Sequence, residues 1–393
     1  PPPGAETLQE MVNFMLGEDV PEKYVALLQE ELGVSGVDSR DVHIALPDGA
    51  TEGDFRVLIV GAGAVGQAYG YHLQRGGAEV AFFVREKVRA NLASGVVVYP
   101  LNRRDAWDPV VFSGFELHSQ WATVATARWD QVWLAIASPA LRQGWLGEMM
   151  AAIGDAHVVA LQPGLDDRDV LLEHVPAARL VQGVITLQSF HAPLPGADAV
   201  TPGVAWWFPP LSPIPLGGDG DVVRAAAAAL KRGGCPARAQ PGKQVSAVAA
   251  SAVMMPIIAA LETAGWSFSQ LRATDALALG CDVARECSAV VARSQGKTTP
   301  WFATLIRPWL LGLVVRVAPY VMPFDLERFF EVHFTKVGAQ TRLMFSTYAQ
   351  RGAALGVPTA RLQILRTALG PGAVDASASG TAVGGGDTHA AAD

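Results

Sequence analysis

The chain has 393 residues, half of them hydrophobic and 17% charged, with a formal net charge of −7. That is enough apolar material for two domains with their own cores, and the acid excess argues against a nucleic-acid binder that relies on a broad basic surface. The three cysteines, Cys235, Cys281 and Cys287, have no metal-ligand spacing and form no disulfide framework. With no secretory leader in view, they point to a reducing, cytoplasmic setting.

In chain order, Glu6–Leu16 and Pro21–Leu32 carry helical apolar spacing, the second stopping at Gly33, and a linker containing Gly and Asp leads on to Phe55. Val57, Leu58, Ile59 and Val60 then make a short continuous apolar run, the pattern of a strand covered on both faces of a parallel sheet. Gly61, Gly63 and Gly66 follow as G-x-G-x-x-G with Ala64 and Val65 inside it; the sequence predicts a helix continuing over Gln67–Arg75 and a second strand at Glu79–Val84. In such a strand–turn–helix the first glycine permits the tight turn. The second lets a dinucleotide pyrophosphate approach the backbone, and the third brings the helix close to the strand. The unpaired N–H groups at the helix start suit a phosphate. After the second strand, Arg85 and Lys87 stand where an NAD or FAD site usually places an acid, and they suit the 2′-phosphate of NADP. Glu86, in a shifted register, leaves an NAD ribose contact open, and a solvated helix start is the plain alternative for Arg85, Lys87 and Arg89.

Val132–Ile136, His157–Leu161 and Leu180–Leu187 read as further strands, so residues 55–218 alternate strand and helix and predict a doubly wound sheet, closed by the Pro-rich Pro209–Pro215. Residues 219–370 read as mostly helical, and 371–393 as a disordered Gly/Ala/Ser tail. Two apolar stretches are interrupted: Gln244–Leu261 by Ser246, Ser251 and Pro256, and Trp301–Pro323 by Arg307, Pro308, Arg316 and Pro319. Both are expected to be buried helices rather than membrane spans, with a dimer face or an acyl-binding groove as the other uses of the second.

Three segments, GAGAVGQAYGYHLQRGGAEVAFFVRE, VVALQPGLDDRDVLLEHVPAARLVQGV and TRLMFSTYAQRGAALGVPTARLQIL, together resemble the ketopantoate reductase family over residues 55–370. The resemblance implies an α/β fold, a Rossmann-type doubly wound parallel sheet followed by a mostly helical C-terminal domain for substrate binding and dimerisation. It also implies NADP as cofactor and a small-molecule carbonyl substrate of the 2-keto acid kind. The apolar 301–323 region suggests a homodimer, while the net charge and the interrupted apolar stretches weigh against nucleic-acid and membrane partners. The family's lysine near the end of the third nucleotide-domain strand is replaced here at Ala137-Ser138-Pro139, and the resemblance sets Gln162 and Gly164 in a loop facing the nicotinamide. The family's proton-donating lysine and its two substrate-positioning asparagines correspond to Ala247, Ser251 and Met255, its loop asparagine to Pro163, and its substrate-binding glutamate to Lys336.

Proton delivery on this reading falls to Lys336, Lys243 or Ser251, against the plain alternatives of surface lysines and a helix-packing serine. Lys336 leads because Phe334 and Val337 flank it; Lys243 stands four residues before Ala247, as if on the same helical face. His191 is a candidate proton relay just after a strand, and Glu262 a candidate partner for Lys243 or Lys336. Replacement of so many family residues leaves a second reading, a dinucleotide-binding scaffold or sensor without catalysis. A weaker resemblance joins MLGEDVPEKYVALLQEELGV and the following DFRVLIVGAG to the lead-in of the FAD domain of some Baeyer–Villiger-type flavin monooxygenases. Arg85 and the lack of a second G-x-G-x-x-G weigh against FAD. The extension otherwise reads as a docking or dimerisation element.

Overall fold

The computed structural model describes residues 55–103, 106–299 and 301–370, with the side chains of residues 301 and 302 excepted. The helices expected at Glu6–Leu16 and Pro21–Leu32 and the tail 371–393 lie outside the described residues. β1 (Arg56–Val60) sits inside an eight-stranded sheet, and its side chains alternate between two apolar clusters. Val57 and Ile59 enter one, Leu58 and Val60 the other. Burial on both faces is why the strand reads as an unbroken apolar run.

The other strands are β2 (Glu79–Phe83), β3 (Val96–Pro100), β4 (Val110–Phe112), β5 (Glu116–His118), β6 (Gln131–Leu134), β7 (His157–Ala160), β8 (Leu180–Gly183), β9 (Gln188–Ala192), β10 (Gly203–Trp207), β11 (Ile214–Gly218) and β12 (Ala237–Pro241). The large sheet runs β12-β11-β8-β7-β6-β1-β2-β5, parallel from β8 to β5, with β11 antiparallel to β8. This is the Rossmann-type doubly wound sheet that the alternation predicted. The sheet runs on past residue 218, where the sequence reading closed the first domain, because β12 pairs in parallel with β11. A second sheet, β4-β3-β10-β9, was not anticipated.

Both faces of the large sheet are covered, by α1 (Ala64–Arg75), α2 (Glu86–Leu92), α3 (Trp121–Val124), α4 (Leu146–Ala152), α5 (Asp167–Leu172) and α6 (Gly220–Arg232). Tyr69 and Leu73 of α1, Val223 and Ala226 of α6 and Trp206 of β10 share one cluster; Val124, Leu146, Met149 and Leu171 fill the other. α1 and α6 approach closely: a Cβ on Gly76 would lie 1.9 Å from the Ala229 carbonyl oxygen, and His72 Nδ1 is 2.8 Å from the Gly233 carbonyl oxygen.

The remaining helices are α7 (Val248–Thr263), α8 (Phe268–Ala273), α9 (Ala276–Ser294), α10 (Pro308–Val321), α11 (Leu326–Lys336), α12 (Gly338–Leu355) and α13 (Ala360–Leu369). The chain divides into two compact units: residues up to Ser251 with Trp309–Phe329, and Ala252–Pro308 with the segment from Phe330 onward. In the second unit α9 packs on α12 and α13. The Glu286 carboxylate accepts the N–H groups of Arg361 and Leu362, capping α13 at its start. α12 stops at Gly356, whose φ of 66° is the left-handed conformation that ends helices.

α7 is largely buried, as its apolar run predicted, through Ala252, Met255, Ile258, Ala259 and Leu261. α10 overturns the same expectation: none of its residues is buried. Apart from Arg316 its side chains are apolar around the helix, so whichever side faces the protein leaves apolar side chains outside. No single helix among the described residues is long and apolar enough to cross a membrane.

Candidate functional site

The site begins where β1 ends. In a doubly wound sheet ligands bind beyond the carboxyl ends of the strands, at the point where strand order reverses. Here that point lies between β1 and β6, because the chain goes from β1 outward through β2 and later returns to β6. Gly61 turns the chain with φ of +100°, and its N–H donates to the Phe83 carbonyl at the end of β2 (3.0 Å). A Cβ on Gly61 would lie 2.8 Å from the Ala135 carbonyl oxygen, and one on Gly66 would lie 2.1 Å from the Gly61 carbonyl oxygen. Both positions are closed to any side chain by the fold itself.

Gly63 differs: a Cβ there would meet nothing within 4 Å. Gly63 is the N-cap of α1 with φ −72° and ψ −176°, and no side chain caps the helix. The N–H groups of Ala64, Val65 and Gly66 belong to the first turn and have no partner within the helix, so partial positive charge gathers at its N-terminus. Gln67 is buried and braces the loop by donating from Nε2 to the Ala62 carbonyl (2.8 Å). Open backbone over a helix N-terminus fits a pyrophosphate.

At the carboxyl end of β2, Arg85 occupies the N-cap position of α2 without a side-chain capping bond, and Arg85 and Lys87 are both exposed. Glu86 is engaged sideways, accepting from Ser119 Oγ and lying 3.7 Å from Arg89 Nη1. Beside these residues Phe83, Trp121 and Trp145 stack in register, with centroids 3.8 Å and then 5.8 Å apart.

The loops after β6 and β7 are tied together by Asp167, Asp166 and Arg142, which sequence reading missed. Ser138, fully buried, donates from Oγ to Asp167 Oδ2 (2.6 Å), and the Gly164 N–H donates to the same oxygen (2.7 Å). Arg142 donates to Asp167 Oδ1 (2.9 Å), to Asp166 Oδ1 (2.8 Å) and to the Ser138 carbonyl (2.8 Å). Burial works against the Arg142 charge, but Asp167 and Asp166 outweigh it and hold the guanidinium above its ordinary range. Gln162 extends the clamp, donating from Nε2 to the carbonyls of Leu134 and Ile136 (2.8 Å each). The sequence signal was the adjacent acid pair Asp166-Asp167, one residue after Gln162-Pro163-Gly164, a turn with more charge than a solvent loop needs.

The structure therefore gathers Gly61, Gly63, Ala64, Val65 and Gly66 with the loop carrying Ala137 and Ser138, and binds Ser138 to the loop carrying Gln162 and Gly164. The candidate proton donors are more scattered. Lys243 is not on a helix: β12 ends in a turn at Gly242, α7 begins only at Val248, and Lys243 is exposed in the connection. The i, i+4 argument for it fails for that reason. Ser251 is buried in the first turn of α7, where its N–H donates to the Ala247 carbonyl (2.9 Å).

Lys336, the last residue of α11, is exposed rather than enclosed by Phe334 and Val337. His333 on the same helix is the perturbed group. Burial, with the Lys336 charge adding to it, pushes its imidazole down to about 4. Glu262 pairs with Arg342 (2.6 Å), not with either lysine. His191 lies within β9, opposite Val204, on an exposed face of the second sheet.

The family model for ketopantoate reductase PanE/ApbA matches residues 57–197. Among solved structures, a PanE/ApbA family ketopantoate reductase from Ralstonia eutropha JMP134 is 23% identical with a TM-score of 0.60, the match covering 80% of this chain and 97% of that one. A 2-dehydropantoate 2-reductase from Geobacter metallireducens GS-15 is 20% identical with a TM-score of 0.56, over 80% and 99% of the two chains. A D-mandelate dehydrogenase solved with NADH and anilino(oxo)acetate is 16% identical with a TM-score of 0.57, over 80% and 97%. A comparison with curated proteins gives no match. The structural likenesses show the fold, and the family match adds a family-level resemblance to ketopantoate reductases.

Proposed function

We propose that the chain is an NADP-dependent oxidoreductase that reduces the carbonyl of a small 2-keto acid-like substrate. The observation that carries this reading is Gly63, an open backbone position over the uncapped N-terminus of α1. The N–H groups of Ala64, Val65 and Gly66 would hold the pyrophosphate, and Arg85 with Lys87 the 2′-phosphate. Glu86, turned toward Ser119 and Arg89, leaves the cationic side chains to define the site. Ala137, Ser138, Gln162 and Gly164 would line the nicotinamide side, their backbones fixed by the Asp167 and Gln162 hydrogen bonds.

Bound NADPH supplies hydride to a carbonyl carbon. The protein must then place the substrate and deliver one proton to the carbonyl oxygen, giving a 2-hydroxy acid. We assign that delivery to Lys336, with Lys243 and Ser251 as the other candidates. Support for the substrate class comes from the matched structures, whose names give 2-oxo and 2-hydroxy acids.

The test is Gly63→Ala. Alanine adopts the Gly63 backbone angles without strain and strikes no protein atom, so stability should change by less than about 1 kcal/mol. NADPH affinity should fall by about 100-fold, because the new methyl group occupies the approach of the pyrophosphate. Titration followed by nucleotide fluorescence measures it, and unchanged affinity overturns the site. NADPH binding without consumption of NADPH across a panel of 2-keto acids would replace the enzyme by the scaffold reading.

A further inference from the structure

α10 is an exposed apolar helix that needs a partner. Trp309 is 73% exposed, Leu313 43%, Val314 53% and Tyr320 82%. At 100° per residue, Trp309, Leu313, Arg316 and Tyr320 fall within about 60° of one another around the helix, so they form one face. Exposed apolar surface of this kind marks an interaction site. The run from Glu286 to Asp325 contains no acidic residue between those two, while it carries Arg293, Lys297, Arg307 and Arg316. In a chain of net charge −7 this face is apolar, with Arg316 as its exposed charge.

A complementary sequence lies at the other end of the chain. Residues 1–32 hold seven acids, Glu6, Glu10, Glu18, Asp19, Glu22, Glu30 and Glu31, against one base, Lys23. Apolar residues recur there at helical spacing, as Leu8, Met11, Val12, Met15 and Leu16 and again as Tyr24, Leu27, Leu28 and Leu32. Such a pattern has an apolar stripe to bury and an acidic back. Phe55, where the extension joins the fold, and α10 from Trp309 onward belong to the same compact unit. The 22 residues from Gly33 to Asp54 span up to about 70 Å when extended, enough to reach any face of such a unit.

We propose that residues 6–32 dock on the Trp309–Leu313–Tyr320 face of α10 in the same chain. Acidic residues of the extension meet Arg316, and its apolar stripes cover the aromatic and aliphatic side chains. The tether holds the segment at an effective concentration on the order of millimolar, so a contact too weak to recruit a free partner suffices. This favours the chain's own segment over a second copy or an anionic lipid surface, either of which must come from solution.

The test uses the full chain carrying Leu313→p-benzoylphenylalanine, irradiated as an equal mixture of light and heavy-isotope protein. Cross-linked peptides from residues 6–32 with matched isotope labels are expected. Mixed-label pairs would transfer the face to a second copy. Cross-links to lipid in the presence of phosphatidylcholine–phosphatidylserine vesicles, or none to residues 6–32, would overturn the proposal as well. A second measurement follows tryptic cleavage after Lys23, the one Lys or Arg before Arg40. Leu313→Glu combined with Arg316→Glu alters only exposed positions, and should speed that cleavage by about tenfold through release of the segment. Equal rates in the two proteins would refute the contact.

Discussion

Removal of the Asp167 carboxylate should loosen two loops at once. Asp167 is 2% exposed, and its oxygens accept from Ser138 Oγ, the Gly164 N–H and Arg142 Nη1. Hydrogen bonds to a charged group contribute about 1.5–3 kcal/mol each, and Asp167→Ala removes the carboxylate that accepts from the buried Ser138 and Gly164 donors. Arg142 keeps Asp166 and the Ser138 carbonyl, which limits its own loss. Breaking a buried, charge-assisted cluster on one side costs about 3–5 kcal/mol, the range we expect for Asp167→Ala in urea unfolding. Asp167→Asn retains one acceptor oxygen but turns an amide N–H₂ toward donors, and should cost about 2 kcal/mol. Ser138→Ala added to Asp167→Ala should cost little more, giving a coupling of about 1 kcal/mol or more in a double-mutant cycle. A loss below about 1 kcal/mol for Asp167→Ala, or additive effects of the two substitutions, would refute the account of Asp167 as the anchor of both loops.

Three further outcomes are expected. Arg85→Ala should weaken NADPH binding by about tenfold or more with NADH binding nearly unchanged; equal losses would remove the 2′-phosphate assignment. Lys336→Met should abolish turnover of a 2-keto acid while leaving NADPH affinity as it was, and unimpaired turnover would return Lys336 to the solvent-exposed surface. His72 provides a pH test. Burial pushes its imidazole down to about 4, against the bond to the Gly233 carbonyl, and Arg75 adds to the depression. Between pH 4 and 6.5 the unfolded chain therefore binds more protons at this residue, so stability is full above about 6.5 and falls as pH drops toward 4, by roughly 3 kcal/mol in all. His333 acts with the same sign. His72→Asn keeps a donor for Gly233 but does not titrate, so its urea midpoint should depend less on pH than that of the parent; parallel pH profiles would contradict the assignment.

Legibility followed sequence distance. Strand, glycine turn and helix lie within Val57–Arg75, and local pattern placed them without help from the rest of the chain. The second sheet was hidden because β3 and β10 pair across more than a hundred residues, as Val98 with Val204, and each is only five residues long. The Ser138–Asp167 bond joins residues 29 apart on different loops, so neither residue announces it alone. The expected enclosure of Lys336 failed for a different reason. Phe334 stands 200° away around the helix and Val337 lies past its end, so apolar flanks say nothing about the direction of the lysine between them. Lys243 failed for a reason of boundaries: helical spacing was extended back from Ala247 across a stretch that the Gly242 turn keeps out of the helix.

A glycine motif can persist because the fold requires it or because a ligand does, and the three glycines here separate the two causes. Gly66→Ala would set a methyl 2.1 Å from the Gly61 carbonyl oxygen, a backbone atom that cannot swing aside. Loss of nucleotide binding in that variant would follow from distortion of the loop whatever the loop is for. Gly61 is bound in the same way, by its φ of +100° and by the Ala135 carbonyl. Gly63 alone faces open space, so the protein itself sets no limit on what stands there. An exclusion zone that the protein does not fill is one that a ligand must fill if glycine is needed. Loss of NADPH binding in Gly63→Ala with stability unchanged therefore locates the pyrophosphate, whereas the same loss in Gly66→Ala locates nothing. Retained binding in Gly63→Ala would mean that the first two strands and α1 keep a dinucleotide-type turn for packing alone.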